Sequence, residues 1–557
     1  MSLNSVNTNA KYSLDESGCF VIENYNETKA FSNFFPGIAG IWGIPMWAFY
    51  VNRVQGIASF GVHSKDKAML EFQPANKAYR VTSLNGFRTF LKLKSGGKTH
   101  SYEPFQMPSL SPYKARQKMM MASHDLTLEE INSTLGIKIT VNYFTLAQEP
   151  LAALVRRVTV TNLSKQKKDI QMVDGLPAVT PYGLNDWMSK HMSRTVEAWI
   201  KVRRIKEKTP YFHLNVEVAD TPQVKHIKEG NFYFSFEEGS AKLFDIIVEN
   251  ACVFGNSQDF RVPEAFIQNA KFSVPSIQQT SNRTPCAMSF ASFKLGAKQS
   301  KSFVSMAGFA YNQEQLQKFS AKALEPGFAD KKARENKEAV DSVKNFAFTK
   351  SSSKEFDMYC GKTFLDNVLR GGLPVSLQTE EGKVALNVYS RKHGDLERDY
   401  NFFTLAPTYY SQGNGNYRDV NQNRRNDVWF NTDVKESNIV SFLSLIQADG
   451  YNPLVIKGLT FATHDEEKLQ KFLDSEVPPN SRAQIKDILK KGFQPGDLLS
   501  FIINEDIKLK TSLKDFLGKV LNICHKHESA DHGEGFWADH WTYNTDLLES
   551  FVAVYPE

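Results

Sequence analysis

The sequence predicts a multidomain β + α chain: a large antiparallel β-sandwich over about the first 310 residues, then a helical region. Three observations carry that expectation. In the front part Val158 and Val160 alternate with Arg157, Thr159 and Thr161, a polar turn covers 162–167, and Ile170 and Met172 then alternate with Asp169 and Gln171. Phe232, Phe234 and Phe236 place three aromatics on one face of NFYFSF. Such period-two runs, separated by Gly, Pro, Asn and Ser clusters, continue for 300 residues with hardly a helical pattern, and then the period changes.

The change begins with the strongly charged stretch 330–345 (DKKARENKEAVDSVKN), read as a linker helix. Ser352 and Glu355 then form a capping box, Phe356, Tyr359, Cys360, Phe364, Leu365 and Val368 follow at helical spacing, and Gly371-Gly372 supplies the stop. Ile439, Val440, Leu443 and Ile446 line a further helix. Thr463 with Glu466 caps one before Leu469 and Leu473, and Ser481 with Gln484 caps another that ends at Gly492. Residues 512–524 make the next, and the last runs roughly 545–555. Helix hairpins joined by loops of unequal length suit an α-toroid and a plain helical bundle equally. No internal repeat or low-complexity segment stands out.

At 557 residues the chain is long enough for two or three cores. Its net charge of +6 is weak for that length, so neither nucleic acid nor an anionic membrane is demanded as partner. The 41 Phe and 20 Tyr fit a sheet-rich half and an aromatic-lined cleft. Five widely spaced cysteines without a CxxC argue against a disulfide framework and for a reducing compartment. The start, MSLNSVNTNAKYSLDESG, lacks the layout of a secretion signal. The uncharged run 34–51 has the length of a membrane span, but Pro36, Gly37, Gly40, Gly43 and Pro45 would break a helix there. It reads as a buried, turn-rich segment leading into a strand, and the protein as cytoplasmic.

One stretch, 390–433, carries neither period. Between Arg391 and Asp427 it interleaves Arg391, Lys392, His393, Asp395, Glu397, Arg398, Asp399, Arg418, Asp419, Arg424 and Arg425 with Tyr400, Phe402, Tyr409, Tyr410 and Tyr417. Forked donors, carboxylates and aromatic plates together can hold a polyhydroxylated ring; the plainer alternative is a solvated loop. Its segment 416–422 opens a helix after a Gly-Asn-Gly-Asn turn, either presenting Arg418, Asp419 and Gln422 to a cleft or capping the helix with an Arg–Asp pair. The later segment HGEGFWADHWTYNTD has similar chemistry, with Trp537, Trp541, Glu534 and Asp539. Either acid is a candidate proton donor; alternatively the tryptophans are core and the acids cap a helix. His525, His527, His532 and His540 lie close to Cys524, but their spacing matches no metal motif, and no metal is expected. There is no GxSxG, phosphate loop or dinucleotide fingerprint.

The segments YSQGNGNYRDVNQNRRNDV, SRKHGDLERDYN, EGFWADHWTYNTDLLES, GIAGIWGIPMWAFYVNRVQGIASFG and EPLAALVRRVTVTN resemble the 1,2-β-oligoglucan phosphorylases. These belong to the cellobiose phosphorylase group of glycoside hydrolase family 94, formerly glycosyltransferase family 36. The similarity runs from about Phe31 to the last residue. It implies an N-terminal supersandwich (1–312), a helical linker (313–351) and the first part of an (α/α)6 catalytic domain (352–557). It also implies inverting cleavage of β-1,2-glucooligosaccharides by inorganic phosphate, a co-substrate rather than a cofactor, to give α-glucose 1-phosphate. Tyr417, Arg418, Asp419 and Gln422 match the segment that holds the glucose whose bond breaks, although Asn423 stands where a second acid is usual. Arg391, His393, Asp395, Arg398, Trp537, Asp539 and Trp541 are the other expected sugar contacts.

The family's general acid, in a stretch like DWND or DKPGWxDA, and its phosphate-binding loops have no match before Glu557, and about half of twelve barrel helices are countable. The expectation is therefore an incomplete toroid, inactive alone and needing its C-terminal half, with Asp539 the one stand-in acid. A homodimer through sandwich and linker is a further implication. The competing readings are a non-catalytic β-glucan-binding module and a cellobiose-type phosphorylase or toroid glycoside hydrolase.

Overall fold

A computed structural model of the chain describes residues 10–95, 97–107, 111–219, 221–257, 259–380, 382–392, 402–533 and 537–557. It is a mixed structure of large antiparallel sheets and helices, divided into two compact units. Among the described residues the first comprises those up to Gly37 together with Met46–Glu338, and the second Ile38–Pro45 and the residues from Ala339 on.

Among the described residues the first unit holds antiparallel sheets of ten, five and four strands. The ten-stranded sheet has Ala152–Asn162, Ser300–Ala310 and Gly230–Glu237 side by side in its middle. The five-stranded sheet is centred on Lys168–Leu176, between Ala287–Leu295 and Arg88–Ser95. Strand Ala152–Asn162 alternates buried and part-exposed residues from Arg156 on, as the Val158/Val160 pattern predicts, because one face meets the second sheet and the other does not. Phe232, Phe234 and Phe236 are all buried and stack along one face with centroids 5.8 and 6.4 Å apart. Leu316 and Phe319 of the helix Gln313–Ala323 close over them.

The two sheets meet around a buried ion pair. Arg156, wholly buried, places NH1 2.5 Å from Asp174 Oδ2, donates from NH2 to Gln55 Oε1 (2.5 Å) and Thr89 Oγ1 (3.0 Å), and from Nε to the Tyr143 hydroxyl (3.1 Å). Its guanidinium also lies 5.1 Å over the Phe87 ring. Every nitrogen of a buried fork has a partner, which is the condition for such a group to be tolerated in a core.

Several sequence expectations need correction. The front part contains the 11-residue helix Ala75–Asn85, whose buried residues, Ala78 and Thr82, are too small to print an apolar period. The charged helix is Phe328–Lys344, and it is not a solvated tether. Lys332 is buried, with Nζ 2.6 Å from Glu149 Oε1 and bonded to the Ala147 carbonyl, and Asn336 bonds the His124 carbonyl. The unit division falls inside this helix. The run 34–51 is buried and leads into the strand Trp47–Val51, with Gly37 and Gly40 at positive φ.

The second unit is not purely helical. Strands Leu373–Thr379 and Gly382–Val388 form a hairpin, and Gly415–Asn416, Val455–Ala462 and His525–Asp531 form a three-stranded sheet. The expected helices are present as Lys354–Gly371, Ser437–Leu443, Glu466–Glu476, Arg482–Lys491, Leu513–Asn522 and Ala538–Val554, joined by Pro495–Asn504 and the short ones described below. Caps shift by a residue or two. Ser353, not Ser352, accepts from Phe356 N, and Asp465, not Thr463, accepts from Lys468 N; Ser481 makes no side-chain cap bond. Gly372 and Gly492 do end their helices at φ 93 and 95, a conformation that costs glycine least. Val440 is exposed because Phe442, not Val440, faces the core. The last helix starts seven residues before the expected one, so Ala538, Asp539, His540 and Trp541 form its first turn with Trp537 at the N-cap. No helix among the described residues is long and apolar enough to cross a membrane.

Candidate functional site

The described part of the central stretch is an ordered loop tied across itself. Thr404 N donates to Asn414 Oδ1 (2.8 Å), Asn414 N donates to Thr404 Oγ1 (3.0 Å), and Asn414 Nδ2 donates to the Phe402 carbonyl (3.0 Å). At Gly413 a Cβ would meet the Thr404 carbonyl at 1.9 Å, so a side chain has no room there. Tyr389 and Tyr410 hold left-handed backbone, φ 72 and 49, which bulky residues adopt only when their surroundings impose it. Trp42 packs on Tyr409 and Tyr410 at 5.7 and 5.4 Å, and the Ile41 carbonyl accepts from Tyr410 N. Gly415 and Asn416 pair with Ile456 and Val455, and the helix Tyr417–Arg424 begins from that fixed edge.

The helical period then divides the motif. Tyr417, Val420, Asn421 and Arg424 face inward at i, i+3, i+4 and i+7, while Arg418, Asp419, Gln422 and Arg425 lie on the accessible side. Tyr417, an expected sugar contact, is core instead. Its hydroxyl lies 3.1 Å from the Phe442 carbonyl and 3.0 Å from Asn544 Oδ1, and its ring packs on Phe442 and His540.

On the accessible side the fold brings together two motifs 121 residues apart. Arg418 NH1 lies 3.6 Å from Asp539 Oδ2, and its Nε lies 3.4 Å from Asp419 Oδ1. Asp419, with Asp539 adding less, holds the Arg418 guanidinium above its usual range. Asn416 Nδ2 orients Asp419 through Oδ2 at 3.0 Å. Trp537 and Trp541, 46% and 39% exposed, stand two residues before and after Asp539 in the sequence, Trp537 at the N-cap of Ala538–Val554 and stacked on His540, and Gln422 sits one turn from Arg418. Arg425 adds an ion pair to Asp546. The result is a forked cation between two carboxylates, a surface able to bond hydroxyls, with two accessible indoles on the same stretch of chain as Asp539.

Asp539, the stand-in proton donor, has a side chain 47% exposed that is engaged by the Arg418 guanidinium. A general acid needs burial or a like charge to keep its proton near neutral pH. Arg391 is also displaced from its expected role. It is 1% exposed, its backbone N–H donates to the Leu369 carbonyl, and burial pulls its guanidinium down to about 10. His393, Asp395, Arg398 and Glu534 lie outside the described residues. Of the clustered histidines, His525 and His527 lie on the strand His525–Asp531, and no group of three or more potential metal ligands occurs among the described residues.

Behind the Tyr417 layer lies a buried polar layer that sequence reasoning missed. Arg424 donates from Nε to the Gly371 carbonyl at 2.6 Å. Burial lowers its pKa, with Glu528 and Asp427 pulling back. Lys526 Nζ bonds Ser441 Oγ at 2.8 Å and lies 3.3 Å from Glu528 Oε1. Glu528 Oε2 and Gln412 Nε2 are buried without a partner, and both residues line a narrow cavity of about 10 Å³ with Arg424 and Ser390. That is room for about one water. Asp427 Oδ2 accepts from Asn438 (2.9 Å) and Asn387 (3.1 Å), and burial pushes its carboxyl up to about 7. Arg424 and Asp427 were visible in the sequence as charges; nothing there marked them as buried.

No protein-family model and no curated protein matches the chain. Among solved structures it is similar to a bacterial glucoamylase complexed with acarbose, at TM-score 0.38 and 11% identity, over 86% of this chain and 60% of that one. It is also similar to a human-microbiome protein assigned as a kojibiose phosphorylase, at TM-score 0.25 and 10% identity, over 66% and 40% of the two chains. A galactose mutarotase-like protein from Clostridium acetobutylicum gives TM-score 0.23 and 11% identity, over 54% of this chain and 98% of that one. The chain thus spans 60% of the glucoamylase, and likenesses this distant assign neither a family nor an activity.

Proposed function

We propose that the chain is a carbohydrate-active protein of the inverting phosphorylase type: the front portion of an enzyme that cleaves β-1,2-glucooligosaccharides with inorganic phosphate. The observation that carries the reading is the meeting of Arg418 and Asp419 with Asp539, on whose stretch of chain Trp537 and Trp541 are accessible. These residues come from two of the segments on which the family resemblance rests. In this reading Arg418 donates to sugar hydroxyls, Asp419 and Asp539 accept from them, and an indole covers the ring. On the same reading the acid that protonates the departing oxygen and the groups that hold phosphate are not among the residues gathered at this surface, where Asp539 is exposed and paired with a cation. The same observation favours a second reading, a glucan-binding module without chemistry.

The test uses the full chain with sophorose (β-1,2-linked glucose disaccharide) and phosphate. Calorimetry is expected to detect sophorose binding that weakens about tenfold or more in Arg418→Ala, through loss of charge-assisted hydrogen bonds. Glucose 1-phosphate is expected not to form; its release by the chain alone would refute the assignment of the acid elsewhere. Unchanged affinity in Arg418→Ala removes this surface from the site.

A further inference from the structure

The first unit holds a pocket of about 320 Å³ lined by none of the residues so far given a role in binding. Three segments build it: Leu70 and Glu71 at the end of the strand Ala68–Leu70, the loop after Lys168–Leu176, and the helices Asp186–His191 and Ser193–Trp199. The frame is fixed before any ligand arrives. Thr180 N donates to the Met69 carbonyl (2.9 Å) and Val179 N to the Pro285 carbonyl (2.8 Å). Asn185 caps the first helix through Met188 N, and Asp186 N is held by Asp66 Oδ1 at 3.0 Å.

The lining is mixed in a particular way. Val179, Pro181, Leu184 and Val196 give an apolar wall. Lining the same space are two acidic residues, Glu71 and Glu197, with Ser189, Ser193 and Thr284, while Arg194, its side chain 93% exposed, stands at the rim. Glu197 is aimed: Oε1 accepts from Thr284 N and Oγ1, both at 2.9 Å, and Oε2 lies 3.7 Å from Arg194 Nε. Glu71 accepts from Gln73 Nε2 at 3.1 Å, and burial raises its pKa, with the Ser189 hydroxyl opposing. Ser193 holds left-handed backbone, φ 51, where a bulky residue would be strained further. A pre-formed pocket of this size with an apolar wall, a few convergent polar groups and a displaced titration has the usual make-up of a small-molecule site.

Charge selects the ligand class. Two carboxylates against one guanidinium repel a phosphate or a sugar acid. Hydroxyl groups each donate and accept, so a polyol uses the acceptor carboxylates and the lining hydroxyls together, with Arg194 reachable at the rim, while its C–H face meets the apolar wall. We infer that this pocket binds a neutral hexose unit, making it an accessory saccharide site within the β-sandwich unit. It stands on its own lining and does not require Arg418 or Asp539.

The experiment titrates the full chain with sophorose, with glucose and with glucose 6-phosphate, in the wild type, Arg194→Ala, Glu71→Gln and Arg418→Ala. Arg194 is 93% exposed, so its truncation leaves the fold intact. Sophorose binding is expected to fall about tenfold at one class of site in Arg194→Ala and in Glu71→Gln, and that class is expected to persist in Arg418→Ala. Glucose 6-phosphate is expected to bind this class more weakly than glucose does. Equal affinity in Arg194→Ala and Glu71→Gln, preference for the phosphorylated sugar, or loss of all binding in Arg418→Ala would each overturn the inference. Failure of Arg418→Ala to alter binding, with the other two variants impaired, would sink the proposed phosphorylase surface and leave this pocket standing.

Discussion

Two buried arginines sit at the centres of the two units, and their surroundings differ in one respect. Arg156 has every nitrogen bonded: to Asp174, Gln55, Thr89 and Tyr143. The Arg424 guanidinium makes one hydrogen bond among the described residues, to the Gly371 carbonyl, in a layer where Glu528 Oε2 and Gln412 Nε2 have no partner among those residues. A saturated network pins two sheets in one register, and disturbing any member leaves a buried charge exposed to its own desolvation cost. An unsaturated layer has already met that cost, so each change in it removes less. The first unit is thus built around stability, and the second keeps spare bonding capacity behind the surface that carries Arg418 and Asp539.

The comparison is broken most directly at Arg156. Arg156→Met is expected to lose about 3–5 kcal/mol of stability, because Asp174 remains buried and unpaired. The double variant Arg156→Met with Asp174→Leu is expected to recover most of it, since an apolar pair of similar volume carries no desolvation penalty. Denaturant unfolding followed by near-ultraviolet signal checks both. A double variant as unstable as the single one would mean that Gln55, Thr89 and Tyr143, and not the ion pair, hold the sheets.

Asp427 gives the next largest effect, and its sign is opposite. Its carboxyl titrates at about 7 in the folded chain against 3.8 ordinarily, mainly through burial. Between those values the native state binds the proton and the unfolded state does not. The stabilising contribution is therefore complete below pH 3.8 and is lost as pH rises through 7. Asp427→Asn removes that slope while keeping an acceptor for Asn438 and Asn387. Relative to wild type the variant is expected to gain on the order of 2–4 kcal/mol at about pH 8 and nothing at about pH 4. Thermal melts at the two values decide; a variant equally destabilised at both would show that the carboxylate is needed for its geometry.

How far these features were legible follows from the same physics. Strand Ala152–Asn162 and the Phe232–Phe236 ladder could be read because each has one buried face, which prints a period on the sequence. The helix Ala75–Asn85 buries alanine and threonine, and the strand His525–Asp531, HKHESAD, is exposed along most of its length and held by pairing with Val455–Ala462. Neither has an apolar signature to find. Arg418, Asp419 and Asp539 were legible as residue types, but their meeting is a matter of tertiary packing. Tyr417 was misassigned because an aromatic in a polar motif reads the same whether it faces sugar or core. Arg424 and Glu528 were invisible as a layer, since burial of a charge leaves no trace in composition.

The smallest expected effect sharpens the contrast at its other end. Glu528→Gln replaces a buried carboxylate that has Lys526 at 3.3 Å on one oxygen and no partner on the other. Lys526 keeps its bond to Ser441, and the amide can still accept from it. Gln also offers a donor toward the narrow cavity beside Arg424, where a water-sized group has room. Lost attraction and relieved desolvation therefore nearly offset, and the change in stability is expected to stay under about 1 kcal/mol, in the range of ordinary substitutions. The matched substitution Asp174→Asn, which unpairs Arg156, is expected to cost several times more. If parallel denaturant curves give the two variants equal losses, Glu528 is held in its layer no less firmly than Asp174 between its sheets, and the second unit's layer is a structural network like the first.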